Sequence, residues 1–405
     1  MSNLMETVGD TMAERASSVE RVRAANLGEV LRLVHQLGPR SRAVITAETG
    51  LNRSTVADLV AELASRGLVV EQEPDPTRRV GRPSPIVAAG DDVIAIAVNP
   101  EVDAIEVGAV ALSGRVRERA RVECAEAPSI EEVVRVVEGV VEGWRAGTLA
   151  ESRFVGIGVA VPGLVRVEDG LVRLAPHLDW HDGDLRSPLS ERVGLPAAID
   201  NDASLGARAE RLFGAAREHR NVVYLNGGAS GIGGGLILQG ALISGAGGYA
   251  GEWGQTRPSI PVEADRRTRG GVLEDEVNRA RLLQVAGLGS VEDPALAAAL
   301  TDMDRPQVAE EVVRQRRILA ATLANAVNVL NPSMIVLGGF LGMLSESDPE
   351  GFTADVRANS LAAPGEQVEI RPAALGADRL LIGAAEAAFA PLLNDPARTL
   401  DALTV

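Results

Sequence analysis

VVYLNGGASGIGGGLILQGALI, residues 222–243, is the stretch whose reading decides the fold. It reads as strand, turn and strand, with aliphatic and β-branched runs on either side of the glycine-rich segment Gly228–Gly235. The same texture begins earlier, at Val93. There VIAIAV, AIEVGAVAL and RVRERARVE read as strands, with Ser113-Gly114 marking a hairpin turn. A helix over 130–145 follows, then the strand FVGIGVAV (154–161), the loop Pro162-Gly163, and a strand ending in AAID before the helix ASLGARAERLF. Past residue 243, a long helix ends at NVLNP (328–332), and MIVLGGF gives a strand with a Gly-Gly loop. Two successive units of hairpin strands and crossover helices predict two α/β lobes with a cleft between them. Ligands of such folds bind where strand ends meet glycine-rich loops.

Composition narrows what the chain can be. At 405 residues it is too long for one simple core, so two or three domains are expected. Apolar residues make up 46% and aromatics 2%, so the cores are built from Val, Leu, Ile and Ala. No lysine occurs, and every strong positive charge is an arginine. The single Cys124 excludes a disulfide framework and a thiolate metal site within one chain. No apolar run approaches the roughly 20 residues that span a bilayer. The first residues, MSNLMETVGDTMAERASS, hold acids and no signal-peptide core, so a cytoplasmic protein is expected.

A net charge of −16 argues against a chain that coats nucleic acid along its length. The charge is uneven, however: residues 15–90 hold eleven Arg against eight Asp and Glu. A modestly basic module on an acidic body is compatible with a local DNA contact. Within it, NLGEVLRLVHQL (26–37) places Leu27, Val30, Leu31 and Val34 on one helical face. SRAVITAETG (41–50) reads as a short helix from Ser41 to Gly50. A third helix follows Asn52 as N-cap, with Val56, Leu59, Val60 and Leu63 facing inward and Gly67 ending it. A strand LVVEQ, a turn PDPTRR and a second strand near Ile86–Val87 complete a winged helix-turn-helix. The helix beginning at Asn52 would enter the major groove with Arg53, Ser54 and Thr55, supported by Arg42. Arg78, Arg79 and Arg82 would lie on or beside the wing.

IDNDASLGARAE (199–210) puts an Asn-Asp pair at a strand end, just before a helix of small residues. Asp202 there is a catalytic base, a ligand contact or a helix cap, and local sequence does not choose between them. Trp180 reads as a ligand-stacking face or as a core residue, and His177 and His181 as surface or loop residues. Gly228–Gly235 reads as a phosphate loop or as a tight hairpin.

Taken together, VGIGVAVPGLV, DNDASLGARAERLFG, GASGIGGGLILQG, YAGEWG, GGVLED, LNPSMIVLGG and LIGAAEAAF resemble the ROK family (repressors, open reading frames, kinases) over nearly the full chain. SRAVITAETGLNRSTV and VGRPSP resemble the winged helix of its repressor branch. The resemblance implies an α/β fold in which the winged helix-turn-helix precedes a two-lobed, actin-like (ribonuclease H-like) ROK sugar-kinase body. The expected division is a flexible 1–20, a DNA-binding 21–89 and a ligand-binding 90–405. Its lobes are 90–215 plus the C-terminal helix, and 216–375.

Several of the family's functional parts differ here. Active ROK kinases carry an Asp-Xaa-Gly-Xaa-Thr phosphate loop, where this chain has Asn99 to Asp103, NPEVD, with Glu101 for the Gly and Asp103 for the Thr. Two carboxylates in a phosphate cradle repel ATP. The family's zinc ligands are replaced by Gln255, Asp265, Arg267 and Val272, so no metal and no cofactor are expected. The sugar-facing set is retained: Gly163, Asn201, Asp202, Glu252 and Glu274 match hydroxyl-binding or pocket-lining positions, and Gln255 can still hydrogen-bond. In an active relative the residue matching Asp202 is the base, and here it is expected to be a sugar ligand.

The expectation is therefore a sugar-responsive regulator, most simply a repressor of carbohydrate genes. Its partners would be operator DNA, a sugar effector and further copies of itself as a homodimer or homotetramer, with no membrane. Two rivals stand beside it: a sugar kinase with a regulatory DNA-binding domain, and a regulator that has lost sugar sensing.

Overall fold

The computed structural model describes residues 2–73, 84–228, 231–260, 262–289, 293–302 and 304–403. The N-terminal module comprises α1 (Ser2–Leu37), β1 (Arg40–Ser41), α2 (Arg42–Thr49), α3 (Arg53–Ser65), β2 (Val69–Gln72) and β3 (Ile86–Ala89). The helix expected over 26–37 begins at Ser2. Local chemistry sets the other boundaries. Ser41 caps α2 by accepting from the Val44 N–H, and Gly50 ends it at a φ of 68° that side chains avoid. Asn52 caps α3 through the Thr55 N–H.

Leu27, Val30, Leu31, Val34, Val56, Leu59, Val60 and Leu63 are all buried, so the helical spacing read from sequence is the spacing of the core. The strands form an antiparallel sheet in the order β1-β3-β2. Three helices followed by a small antiparallel sheet are the layout expected of a winged helix-turn-helix. Arg78, Arg79 and Arg82, expected on the wing between β2 and β3, lie outside the described residues.

The first lobe is built on β4 (Val93–Pro100), β5 (Ala104–Ala111), β6 (Val116–Glu123) and β7 (Arg153–Val161), with α4 (Ile130–Ala146) before β7. A small antiparallel sheet of β8 (Leu164–Val165), β9 (Val172–Ala175) and β10 (Trp180–Gly183) projects beyond it. Then come α5 (Arg186–Val193), β11 (Ala197–Asn201) and α6 (Asp202–Leu212), giving a five-stranded sheet in the order β11-β7-β4-β5-β6. Every residue of β4 is buried. A strand covered on both faces is continuously apolar rather than alternating, and each such aliphatic side chain contributes about 1.5–3 kcal/mol.

The second lobe repeats the plan with β12 (Val222–Gly227), β13 (Ile232–Leu238) and β14 (Ala241–Leu242). Helices α7 (Leu273–Glu276), α8 (Arg279–Ala286), α9 (Asp293–Leu300) and α10 (Pro306–Leu330) follow. The lobe closes with β15 (Met334–Gly339), α11 (Phe340–Glu346), α12 (Pro349–Ala358), α13 (Ala362–Gln367) and β16 (Glu369–Pro372), in the sheet order β14-β13-β12-β15-β16. The chain then returns to the first lobe as α14 (Arg379–Asn394) and ends in α15 (Pro396–Ala402).

Glycine in β7 makes that return possible. A Cβ at Gly158 would stand 1.8 Å from the Ala384 carbonyl oxygen, so the GIG of FVGIGVAV is where α14 lies against the sheet. The same helix packs on the N-terminal module, with Leu27, Val30, Leu31, Leu381, Phe389 and Leu392 in one core cluster. No helix among the described residues is long and apolar enough to cross a membrane.

Candidate functional site

The cleft site starts at the junction of β11 and α6. Asn201 Oδ1 accepts from the Ser204 N–H at 2.9 Å, so Asn201 is the helix cap. Its Nδ2 donates to the Gly163 carbonyl at 3.0 Å and to Asp202 Oδ1 at 3.2 Å. Gly163 has to be glycine here, since a Cβ would lie 2.3 Å from the Leu174 carbonyl oxygen. The Ala203 N–H also donates to Asp202 Oδ1, at 2.8 Å, which leaves the other carboxylate oxygen outside these bonds.

Asp202 keeps some surface exposure, yet protein packs densely around the carboxyl, and it is that density which sets the direction of its titration. Burial pushes it up to about 6, against weaker opposing help from the Ala203 N–H and the charge of Arg379. A carboxylate held poorly solvated and half-bonded is one that gains from an incoming hydroxyl donor.

The opposite wall comes from the second lobe. Glu274, on α7, accepts from the Ile232 N–H at 3.1 Å and from Gln255 Nε2 at 2.6 Å. Two glycines make room for it: a Cβ at Gly231 would meet Glu274 Oε2 at 2.6 Å, and one at Gly254 would meet it at 2.4 Å. Gln255 thus orients Glu274. Glu252 is exposed beside them, its carboxyl pushed up first by partial desolvation and then by the charges of Asp202 and Glu274. Hydrogen bonds and mutual charge effects bring Gly163, Asn201, Asp202, Glu252, Gln255 and Glu274 into one neighbourhood. Such a set of carboxylates and amides suits adjacent hydroxyl groups of a polyol.

Two residues of the neighbourhood went unread. Arg379 opens α14 close enough to lower the titration of Asp202, with its Nε buried and unpartnered and one terminal nitrogen on the Gly376 carbonyl at 3.3 Å. Tyr224 is buried in β12 against Gly206 of α6, and burial pushes its hydroxyl upward. The signal for Arg379 was a lone cation directly before an apolar helix. Trp180 resolves to the core reading: it is 5% exposed, and its indole N–H donates to the Pro128 carbonyl at 2.9 Å.

At the other strand end of the first lobe the carboxylates are spent on one another's partners. Asn99 Nδ2 donates to Glu101 at 2.8 Å, and Arg121 bridges Glu101 at 2.9 Å, Asp103 at 3.3 Å and Glu123 at 2.9 Å. This loop presents charge and salt bridges where a phosphate would need free N–H groups, so it does not fit a nucleotide.

The positions implied for zinc do not fit that ion either. Gln255 is held by Glu274, Asp265 pairs with Arg317 at 3.1 Å, and Arg267 and Val272 offer no metal-donating side chain. The loop is fastened another way. Glu276 is fully buried and accepts from the Arg267 N–H at 3.1 and 3.0 Å and the Thr268 N–H at 2.8 Å. Arg314, 1% exposed, joins Glu276 at 3.1 Å, Glu311 at 2.7 Å and the Asp265 carbonyl at 2.8 Å. Among the described residues no His, Cys, Asp and Glu cluster is arranged to hold a metal ion.

In the N-terminal module, Arg53 and Ser54 are exposed at the start of α3 and Thr55 is half-buried. Asn52 Oδ1 is occupied by the Thr55 N–H at 2.8 Å and the Ser54 hydroxyl at 2.7 Å. Arg42 lies at the start of α2, its guanidinium paired with both oxygens of Glu71 at 2.6 Å.

A module of three helices and a small sheet, joined to a two-lobed α/β body that carries a cluster of carboxylates and amides, is the class that fold and site define. The chain belongs to the ROK family, whose model matches residues 95–390. It is 28% identical over 374 residues to a xylose repressor of Caldicellulosiruptor bescii, covering 88% of this chain and 93% of that protein. It is 26% identical over 379 residues to the xylose repressor of Bacillus subtilis, covering 89% and 94%. A crystal structure of a ROK family transcriptional regulator, described as a homolog of the E. coli MLC protein, superimposes with a TM-score of 0.75. That match covers 95% of this chain and 100% of that one at 22% identity.

Proposed function

We propose that this chain is a sugar-responsive transcriptional repressor of carbohydrate genes. The winged helix binds operator DNA as part of a cytoplasmic homodimer or homotetramer. Arg53, Ser54 and Thr55 of α3 enter the major groove, Asn52 fixes the start of that helix, and the wing arginines Arg78, Arg79 and Arg82 meet the backbone. Arg42 reaches DNA only by leaving Glu71. The cleft binds a neutral sugar through Asp202, Glu252 and Glu274, with Gln255, Asn201 and Gly163 holding those groups in place. D-xylose is the first candidate, because repressors of that name resemble the chain over nearly its whole length.

The observation that carries this reading is the contrast inside one fold. One Asp202 oxygen stays outside the bonds to Asn201 and Ala203, while Glu101 and Asp103, in the loop that would serve ATP, turn to Arg121. Asp202 is then a ligand contact rather than a base, and the body is a pseudo-kinase. Only a sugar that binds one lobe arrangement better than the other can shift DNA binding.

The test is fluorescence anisotropy on DNA from upstream of the chain's own gene, with D-xylose and a monosaccharide panel. Sugar-dependent release from tight binding supports the repressor. Tight binding indifferent to every sugar rejects sugar sensing. ATP-dependent phosphorylation of a sugar, lost in Asp202→Asn, would establish the kinase instead.

A further inference from the structure

The DNA-binding module and the ligand-binding body share a core, and a polar side chain sits in the middle of the joint. His35 of α1 is 3% exposed. Its Nδ1 lies 2.5 Å from the Leu112 carbonyl and its Nε2 2.6 Å from Glu386 Oε1 on α14. Both ring nitrogens face acceptors, so only the imidazolium donates to each. Burial alone would push this imidazole down, but the charge and hydrogen bond of Glu386 and the Leu112 carbonyl outweigh it, and its titration lies above the ordinary histidine range. The ring also meets Phe213 edge-on at 5.5 Å and Phe389 at 5.7 Å.

Leu112 follows β5, whereas Phe213 caps the end of α6 and Glu386 and Phe389 lie on α14, the two helices that reach the cleft. α6 starts at Asp202 and α14 at Arg379, and the two run side by side in the same direction. Their backbones touch where a Cβ at Gly383 would stand 2.4 Å from the Leu205 carbonyl oxygen. From Phe213 one crossing, 213–221, leads to β12, and another, 373–378, returns from β16 to α14.

Glu210, fully buried on α6, fastens both crossings. It accepts from the Ala215 N–H at 2.8 Å in the first, and from the Ala374 and Leu375 N–H groups at 3.1 and 2.9 Å in the second. These two crossings, beside the seat of His35, are where the chain passes between the two sheets, so a change in the angle between the lobes would have to be absorbed there.

We infer that His35 is the positioning residue that couples the cleft to the DNA-binding helices. It seats α1 on the far ends of α6 and α14, next to the crossings pinned by Glu210, so that lobe closure shifts α1. The inference rests on the regulator reading above. Apolar contacts around it tolerate sliding, whereas two hydrogen bonds to a defined carbonyl and a buried carboxylate give the joint a register. The coupling requires contacts that differ between lobe arrangements, and native-state hydrogen exchange reads whether the His35 seat is one of them.

The deciding experiment uses the full chain and needs neither DNA nor sugar. Glu210→Gln loosens the hinge while keeping its volume, and native-state hydrogen exchange reads the response of α1 to α3. In the His35 background, exchange there rises about tenfold, within the usual range of coupling between sites. In His35→Leu the same hinge change leaves α1 to α3 unaltered, while protection of α4 reports an intact body. Equal responses in both backgrounds, or none in either, overturn the inference.

His35→Gln and Glu386→Gln, which keep one hydrogen bond and the packing, serve if His35→Leu does not fold. They are expected to cut the response at least threefold, and an undiminished response overturns the proposal equally. Anisotropy with D-xylose separates the two readings. DNA binding that ignores sugar in the unaltered chain sinks the regulator, and exchange still decides the joint. Sugar-driven release of equal size with and without His35→Gln sinks the joint alone.

Discussion

Two groups of carboxylates follow the C-terminal ends of parallel strands in the first lobe's sheet, and they differ in what their charges face. Glu101 and Asp103, after β4, turn to Arg121, which they share with Glu123. Asp202, after β11, has a backbone N–H and an amide on one oxygen and a crowded, poorly solvated surrounding for the rest. The second lobe repeats the contrast within one turn of helix. Glu276 is consumed by Arg314 and two N–H groups, while Glu274, two residues away, is braced by Gln255 at the cleft wall. A cluster of acids is a binding site where its own partners leave acceptors unspent. Where the partners use them all, it is a fastening.

That contrast predicts opposite consequences for similar substitutions. The largest effect belongs to the buried fastening. Glu276→Gln leaves Arg314 without its full counter-charge and is expected to cost about 3–5 kcal/mol, read from denaturant midpoints. Asp202→Asn is expected to do the reverse to the free protein. Its melting temperature holds or rises, because a poorly solvated charge is removed. Sugar affinity by calorimetry falls roughly tenfold or more, the loss expected for a hydrogen bond to a charged acceptor. Equal destabilisation by the two substitutions would break the comparison.

Acidity sharpens it further. Asp202 titrates near 6, above its ordinary 3.8, so the carboxylate a sugar needs is present above that value and is lost as pH falls through it. Sugar affinity should therefore decline by up to about tenfold per unit below 6, and Asp202→Asn should flatten the profile. Stability of the free chain moves the other way. The folded state holds this proton more tightly than the unfolded one, so the contribution of Asp202 improves as pH drops from about 6 towards 4. The smallest effect is expected at Arg121→Ala. Its salt bridges are exposed, so about 1 kcal/mol or less is lost, with no calorimetric ATP binding gained.

How much of this was legible in the sequence follows from distance along the chain. The winged helix was readable because its rules are local. Caps at Ser41 and Asn52, a left-handed Gly50 and apolar residues three and four apart decide it. The cleft was legible through motif order, and its six residues do converge. The assignment of the cap to Asn201 rather than Asp202 is a one-residue difference in backbone geometry that letters do not carry.

Trp180 shows another limit, since an indole at a loop reads equally as a stacking face or a core anchor until Pro128 supplies its acceptor. The fastenings were not legible at all. Glu276 and Arg314 stand 38 residues apart, and His35 and Glu386 stand 351 apart, in helices whose surfaces carry many other charges. The same holds for α1, whose start at Ser2 lies in a stretch without a clear apolar stripe.

The Glu276–Arg314 fastening has a consequence at a distance. Every contact described above for the loop 262–272 against α7 and α10 runs through the polypeptide's own groups. The wall that carries Glu274 therefore depends on a buried pair, Glu276 and Arg314, drawn from two distant parts of the chain. A lesion at Arg314 would be felt at a surface that Arg314 never reaches.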